Sequence, residues 1–115
     1  MVNSDYNKSH KEVLDLLLLD YPEVKSGKMF GYPAYYAHKK LFACVYQNGV
    51  GLKLPEKTVK VLIEKDGIEY FQPMGRKIMK EWVQLNRESS EDYLNDIELF
   101  EESISFVASL GQKRK

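Results

Sequence analysis

The dipeptide Asn48-Gly49 constrains the fold of this chain more than any other short stretch. It separates the apolar segments FACVYQ and VGLKL, and Asn-Gly in such a position is the strongest short-range signal for a β-hairpin. A two-residue turn there pairs Val45 with Leu52 and Ala43 with Leu54. The sequence therefore predicts two antiparallel strands on either side of this dipeptide.

Side chains of a strand alternate between the two faces of its sheet, so this register divides the hairpin residues into two sets. The apolar set is predicted to face the core and comprises Leu41, Ala43, Val45, Val50, Leu52 and Leu54. The mixed set comprises Phe42, Cys44, Tyr46, Gly51 and Lys53. The mixed face therefore carries two aromatic side chains beside a lysine.

The tyrosine-rich segment GYPAYYA precedes this hairpin. A turn at His38-Lys39 would pair Tyr36 with Leu41 and Tyr35 with Phe42, although neither turn residue favours a positive φ. The core face then gains Tyr32, Ala34 and Tyr36, and the mixed face gains Pro33 and Tyr35. A slip of one residue would exchange these two sets. In the predicted register, Tyr35 is the tyrosine that remains available for binding.

Helical patterns flank these strands. Ser9 has capping-box spacing to Glu12, ahead of an apolar stripe that ends before Pro22, which predicts a first helix. Pro55-Glu56 suits the first turn of a second helix, which Asp66-Gly67 is predicted to stop. Ser89 is predicted to cap a third helix. The apolar stripe of this third helix comprises Tyr93, Ile97, Phe100, Ile104 and Val107.

Two more strands are predicted between the second and third helices, near residues 68–72 and 79–85. The order is therefore helix, three or four strands, helix, two strands, helix. Short turns imply an antiparallel sheet, and we predict an α+β fold with two layers and the helices on one face of the sheet. One domain is expected over residues 1–115, ordered over about 8–111, with Gly111 ending the last helix and a disordered basic tail at 112–115.

Composition limits the functional classes. Lys plus Arg and Asp plus Glu both total 17, so no net charge attracts a polyanion, which counts against a dedicated nucleic-acid binder. Cys44 is the only cysteine, which excludes an intrachain disulfide and fits a reducing compartment. The polar N-terminal segment lacks a signal-peptide pattern, and no apolar run approaches the roughly 20 residues of a membrane span. We expect a cytoplasmic protein without membrane association.

An ordered set of short segments carries a family resemblance. These segments are Lys28-Met29-Phe30-Gly31, Tyr36, Lys40-Leu41-Phe42-Ala43, Gly51-Leu52-Lys53, Phe71-Gln72-Pro73-Met74-Gly75-Arg76 and Lys80-Glu81-Trp82-Val83. Together they resemble the N-terminal domain of the TfoX/Sxy competence regulators and its stand-alone relatives, over nearly the whole chain. The family commonly has Asp-Gly or Asn-Gly at its first hairpin, where this chain has His38-Lys39.

The resemblance implies a secretion-chaperone-like fold and a prokaryotic cytosolic origin, but little about activity. The complete regulators carry a second domain and promote competence-gene expression alongside the cyclic-AMP receptor protein. This chain resembles their first domain alone, so their regulatory role does not transfer directly.

The mixed sheet face is the first candidate site. A two-layer fold covers one face of its sheet, and a contiguous patch of exposed aromatic residues marks a partner site or a dimer interface. The candidate interaction surface comprises Tyr35, Phe42, Tyr46, Lys53 and Trp82. Loops or the last helix covering these residues is the alternative. If the face is an interface, replacing Phe42 and Tyr46 by lysine is predicted to give a folded monomer.

The loop formed by Gly75, Arg76 and Lys77 is the second candidate site. Its glycine frees the backbone, and Arg76 can contact a carboxylate or a phosphate; the alternative is a connection whose arginine pairs with a surface glutamate. Basic residues near aromatic ones also suit single-stranded nucleic acid, although lysines equally protect strand edges. The basic residues in question are Lys39, Lys40, Lys53, Arg76, Lys77 and Lys80.

No catalytic, metal or cofactor site is predicted. Cys44 lies in mid-strand, away from His38, and no third group orients the pair. His10 and His38 lack the neighbouring ligands of a metal site. We expect a non-enzymatic interaction or regulatory domain acting through protein contacts, with a homodimer as a candidate assembly. The alternative is a nucleic-acid-associated transcription or competence regulator, and a small enzyme is the third reading.

Overall fold

The computed structural model describes residues 6–73 and 77–112, and its first helix, α1, spans Lys8–Leu18. Asn7 is the N-cap, and its side-chain oxygen accepts a hydrogen bond of 3.1 Å from the backbone N–H of His10. The predicted cap, Ser9, lies inside the first turn instead. Both residue types cap helices well, so the helix itself was predictable and its first residue was not. The buried residues of α1 are His10, Leu14 and Leu18.

Four consecutive strands follow: β1 (Val24–Met29), β2 (Tyr32–Ala37), β3 (Lys40–Tyr46) and β4 (Gly49–Lys53). Two-residue turns join the first three. In the turn between β2 and β3, His38 and Lys39 have φ values of 53° and 67°, the left-handed conformation that tight hairpins require. The turn predicted at these two residues is confirmed.

This turn forms with residues that disfavour its geometry, so a better turn sequence should stabilise the fold. We expect His38→Asn with Lys39→Gly to raise the free energy of unfolding by about 1 kcal/mol, because a left-handed conformation costs an ordinary L-residue about that much. Urea denaturation followed by circular dichroism measures the change. Lys40→Gly, one residue into β3, is the control and should destabilise. An unchanged midpoint for the double variant would contradict the assignment of strain to this turn.

The turn between β3 and β4 lies one residue earlier than predicted. Tyr46 pairs with Gly49 and Val45 with Val50, so Gln47 and Asn48 form the turn. Gln47 has a φ of 53°, whereas neither Asn48 nor Gly49 has a positive φ. The predicted register is therefore wrong by two residues. A shift of two leaves every side chain on its predicted face, because side chains alternate with a period of two.

A β-bulge in β3 reverses the sheet face on which the side chains before it lie. Tyr35 pairs with Ala43 and Tyr36 with Leu41, and the register shifts between these two pairs. Phe42 is the inserted residue, since it lies between the two partners in β3. The bulge turns Phe42 toward the helices and Leu41 away from them, the reverse of the prediction. Tyr35 likewise faces the helices, while Tyr36 faces the opposite side.

The second half of the chain completes the sheet. Helix α2 (Glu56–Leu62) precedes β5 (Ile68–Tyr70) and β6 (Trp82–Leu85). All strand pairs are antiparallel, in the order β1-β2-β3-β4-β6-β5. The predicted α+β class and order of elements are confirmed, with both late strands shorter than expected.

The final helical segment begins differently from its prediction. Ser89 forms the predicted capping box with Asp92, but the residues that follow form a 3-10 helix, Ser90–Asp96. Helix α3 then spans Ile97–Gln112 and so passes Gly111 by one residue. Residues 113–115 of the predicted basic tail lie outside the described residues.

The buried apolar residues form two clusters, one on each face of the sheet. The cluster on the helix face includes Leu14, Leu18, Val59, Leu62, Phe100, Ile104 and Val107 from the three α-helices, together with Tyr35, Phe42, Ala43, Val45, Val50, Leu52, Val83 and Leu85 from the strands. The cluster on the other side, termed the open face, has Ala34, Cys44, Tyr46, Phe71 and Trp82 at its centre and Met29, Tyr32, Tyr36, Leu41 and Met79 at its rim. Among the described residues, none of the open-face cluster belongs to a helix. Over the same part of the chain, no helix is both long and apolar enough to cross a membrane.

Candidate interaction surface

Tyr35 belongs to the helix face and is not available for a partner. Its side chain is 1% exposed, and its hydroxyl donates a 2.6 Å hydrogen bond to Oδ1 of Asp15 on α1. Burial, followed by this hydrogen bond, raises the pKa of Tyr35 well above its ordinary value. Tyr35 therefore ties β2 to α1, and its assignment to the candidate interaction surface is wrong.

Phe42 is the second residue that the structure removes from that surface. It is fully buried among the helices, and its backbone carbonyl accepts a 3.4 Å hydrogen bond from the hydroxyl of Ser103 on α3. The bulge is the physical reason, because one inserted residue reverses the direction of the side chains on its N-terminal side. The five predicted surface residues thus lie on two different faces.

The other three residues do lie together on the open face. Tyr46 and Trp82 are buried there, with Phe71 between them: ring centroids are 5.5 Å apart for Tyr46 and Phe71 and 5.6 Å for Phe71 and Trp82. The ammonium group of Lys53 lies 5.6 Å from the Trp82 ring centroid and forms a 3.3 Å ion pair with Glu81. Lys53 is therefore held against the aromatic centre by two attractions.

Phe71 covers the centre of the open face. Phe71 follows β5 directly and continues its pairing with β6, since the Phe71 N–H donates to the carbonyl of Trp82 at 3.4 Å. Gly51 leaves room for the Phe71 ring: a Cβ built on Gly51 would lie 2.8 Å from that ring and 3.0 Å from the sulfur of Cys44. Coverage by a loop, the alternative considered for the mixed face, applies to Tyr46 and Trp82.

A partly buried rim surrounds this covered centre. It consists of Met29, Tyr32, Tyr36, Leu41 and Met79. The predicted surface did not include any of these residues, because the register without a bulge placed the tyrosines on the core side. Tyr32 contacts Tyr46 with ring centroids 4.7 Å apart, so the rim and the centre form one continuous aromatic surface. The only feature of the sequence that pointed to this rim was the uncertain register at the His38-Lys39 turn.

The predicted anion-contact loop is described only in part. Gly75 and Arg76 lie outside the described residues, and Lys77 is exposed. Lys77 precedes Met79 of the rim by two residues in the chain. Its role as an anion contact stays a prediction.

Cys44 and His38 do not form a catalytic pair. Cys44 is fully buried under Phe71 and Gly51, whereas His38 is exposed in its turn. Burial raises the pKa of the Cys44 thiol to about 12, an effect opposed by its hydrogen bond with the backbone of Gly51. The thiol is therefore protonated at neutral pH and is a poor nucleophile. The described residues also contain no cluster of three His, Cys, Asp or Glu side chains that would hold a metal ion.

His10 is a buried polar residue for which no role was predicted. Its Nε2 lies 3.1 Å from the carbonyl oxygen of Asn48, and its Nδ1 lies 2.6 Å from the hydroxyl of Ser90. A carbonyl only accepts hydrogen bonds, so Nε2 carries the proton and Nδ1 accepts from the serine. The ring also meets Tyr93 edge-on, with centroids 4.8 Å apart. His10 therefore joins α1, the β3–β4 turn and the 3-10 helix in its neutral form.

This arrangement predicts a loss of stability in mild acid. Burial lowers the pKa of His10 below its ordinary value of 6.5, so below pH 6.5 the unfolded chain binds protons more readily than the folded one. The free energy of unfolding should therefore fall as pH drops below 6.5 and level off below the folded pKa. Urea denaturation at pH 7.5 and 5.5 measures this, and His10→Gln should reduce the difference. His38→Gln is the matched control; if it had the larger effect, the assignment to His10 would be wrong.

Comparison with known proteins returns no match to any protein-family model, curated protein or solved structure.

Proposed function

We propose that this chain is a non-enzymatic interaction or regulatory domain that acts through protein–protein contacts made by its open face. The observation that carries this proposal is the rim: Met29, Tyr32, Tyr36, Leu41 and Met79 are apolar or aromatic and only partly buried, on a face to which no described helix contributes. Aromatic residues and methionine are the types enriched at the centres of protein interfaces.

The surroundings of the rim extend this apolar area. Phe30, in the turn between β1 and β2, is 61% exposed, and Ile78, beside Met79, is 51% exposed. An apolar patch of this kind, bordered by lysines, is typical of a surface that is covered in an assembly. A second copy of the chain is the first partner to test, since symmetric dimers are the commonest assemblies.

We further propose that the chain is a stand-alone TfoX N-terminal-like domain of the prokaryotic cytoplasm with a secretion-chaperone-like fold. Two residues of the resembling segments support this through their structural roles. Gly31 has a φ of 87° in the turn between β1 and β2, a conformation that favours glycine. Gly51 leaves the space that Phe71 fills. The protonated, buried Cys44 supports the non-enzymatic part of the proposal.

Sedimentation velocity over a range of concentrations tests self-association. Tyr36→Glu with Leu41→Glu changes two paired residues of the rim and should lower the association constant at least tenfold while circular dichroism stays unchanged. Leu16→Glu is the matched control, because Leu16 is 80% exposed on α1, away from the open face. Equal losses for both variants would show that the open face is not the interface.

Site-specific photo-crosslinking separates a dimer from a contact with another protein. A photoreactive residue at position 41, introduced in the native host, should give a discrete protein adduct, and the same residue at position 16 should not. Mass spectrometry of the adduct identifies a second copy or a different protein. No adduct at position 41 would refute the proposed role of the open face.

A nucleic-acid-associated regulator is the second candidate, and the distribution of charge favours it. Residues 24–46, which form β1 to β3, contain Lys25, Lys28, Lys39 and Lys40 and no acidic residue, whereas residues 88–112 contain acidic residues and no lysine or arginine. The net charge of the chain is zero, but β1 to β3 are basic and the last helical segments are acidic. Fluorescence anisotropy with labelled single- and double-stranded DNA at 50 and 200 mM salt tests it. Binding that weakens steeply with salt would place this candidate first.

A further inference from the structure

A cavity of about 570 Å³ lies between α1 and the hairpin of β1 and β2. Its volume is within the range of about 300–1,000 Å³ that is usual for small-molecule sites. Pro33, Ala34 and Tyr35 of β2 line it on one side, Ser26 and Lys28 of β1 on a second, and Lys11 and Asp15 of α1 on a third. Neither the open face nor the proposed protein contact involves this group of charged side chains.

Among the residues that the structure describes, Asp15 is the only acidic one that lines this cavity, and both of its oxygens already have partners. Oδ1 accepts a 2.6 Å hydrogen bond from the hydroxyl of Tyr35, and Oδ2 accepts a 2.7 Å hydrogen bond from the ammonium group of Lys11. The Tyr35 side chain is itself buried, so this hydrogen-bonded wall is fixed on one side by the core. The carboxylate is therefore occupied and has little capacity left for a cationic ligand.

The remaining polar groups of the cavity are hydrogen-bond donors. Ser26 pairs with Tyr35 and Lys28 with Pro33 across β1 and β2, so the side chains of Ser26 and Lys28 lie on the same face of the sheet as Tyr35. Within residues 6–73 and 77–112, neither side chain forms a hydrogen bond or an ion pair. Lys11, Lys28 and Asp15 give the described part of the lining one net positive charge.

We propose that this cavity binds a small organic anion, whose carboxylate or phosphate group is held by Lys28 and Ser26 and whose apolar part lies against Pro33. Ammonium and hydroxyl groups donate to such oxygens in charge-assisted hydrogen bonds. Lys11 lies across the cavity from Lys28 and adds to the positive potential. The site does not depend on the proposed protein contact, and the two fail or succeed separately.

Amide chemical shifts measured during titration with sodium benzoate, phenyl phosphate and neutral benzamide test this site. Benzoate or phenyl phosphate should give saturable shifts at residues 26–28 and 31, and benzamide should not. The stronger of the two anions identifies the preferred head group. Lys28→Gln should weaken the binding about fivefold. Lys25→Gln is the matched control, because Lys25 lies on the same strand and pairs with Tyr36 on the opposite face; it should change the affinity less than twofold.

The variant Asp15→Asn tests whether the cavity prefers an anion or a cation. Removing its negative charge should tighten the binding of benzoate or phenyl phosphate, whereas a cation site would lose its ligand. Three results would overturn the proposal: no saturable shift with either anion up to about 10 mM, a range in which weak ligands are still detected; equal weakening by Lys25→Gln and Lys28→Gln; or loss of anion binding in Asp15→Asn. Benzamide binding as tightly as benzoate would also overturn it.

Discussion

Phe42→Ala is expected to lower the free energy of unfolding by about 3–5 kcal/mol, the usual cost of removing a fully buried phenylalanine. Phe42 is 0% exposed and packs against the helices. Its neighbour Leu41 is the matched control, because it is partly buried on the other face and its change to alanine should cost about 1 kcal/mol. Urea denaturation followed by circular dichroism gives both values. A larger cost at Leu41 than at Phe42 would mean that β3 lacks the bulge.

The same burial changes the expected behaviour of the double variant Phe42→Lys with Tyr46→Lys. The pattern of alternation predicted a folded monomer, on the premise that both side chains are accessible. Phe42 is buried in one cluster and Tyr46, at 7% exposure, in the other. Two unpaired ammonium groups in such sites cost more than the whole stability of an ordinary domain of about 5–15 kcal/mol. This variant should therefore unfold.

Gly51→Val is expected to cost about 2–3 kcal/mol and to displace Phe71 from the open face. A Cβ at Gly51 would lie 2.8 Å and 2.9 Å from two carbons of the Phe71 ring, and the ring itself must move because it is rigid. Trp82 is the only tryptophan and packs on Phe71, so its fluorescence emission should shift to longer wavelength. Tyrosine- and tryptophan-selective spectra with denaturation curves measure both effects.

A double-mutant cycle shows whether Phe71 causes this cost. Gly51→Val combined with Phe71→Ala should cost clearly less than the sum of the two single changes, because the alanine removes the ring that the valine strikes. Gly49→Ala is the control: a Cβ there meets Oδ1 of Asn86 and Nε2 and Cγ of Gln84, and both of these side chains are flexible and can turn away. Additive costs for Gly51 and Phe71 would show that the ring does not lie over this glycine.

The helices and the order of elements could be predicted from local sequence patterns. The predictions that were wrong concern features that depend on contacts between residues far apart in the chain. The β3–β4 turn shows this clearly. Asn48-Gly49 is the better turn sequence, yet the turn centres on Gln47 and Asn48, whose carbonyls accept hydrogen bonds from Asn7 and His10 of the α1 region. Anchoring by a segment some 40 positions away outweighed the local preference.

The prediction of the candidate interaction surface was partly wrong for a second physical reason. A bulge leaves no mark in composition, because any residue can be inserted, yet it reverses which side chains share a face. Phe42 and Tyr35 were therefore assigned to the wrong side, while Tyr46, Lys53 and Trp82, which follow the bulge, were assigned correctly to the open face. The coverage of that face by Phe71 was also invisible, since it depends on the path of a loop rather than on periodicity.

The position of α3 in the chain has a consequence for synthesis on the ribosome. Strands β1 to β4 are joined by tight turns, and each pairs with a strand adjacent to it in the chain. These strands can therefore pair as soon as they emerge from the ribosome. Their helix face is completed by Phe100, Ile104 and Val107 of α3, which are translated after all the strands. Until α3 emerges, the nascent sheet exposes Val45, Leu52 and similar residues to solvent. The chain that still lacks α3 is therefore the form most prone to aggregation and to chaperone binding, and the emergence of α3 completes the core.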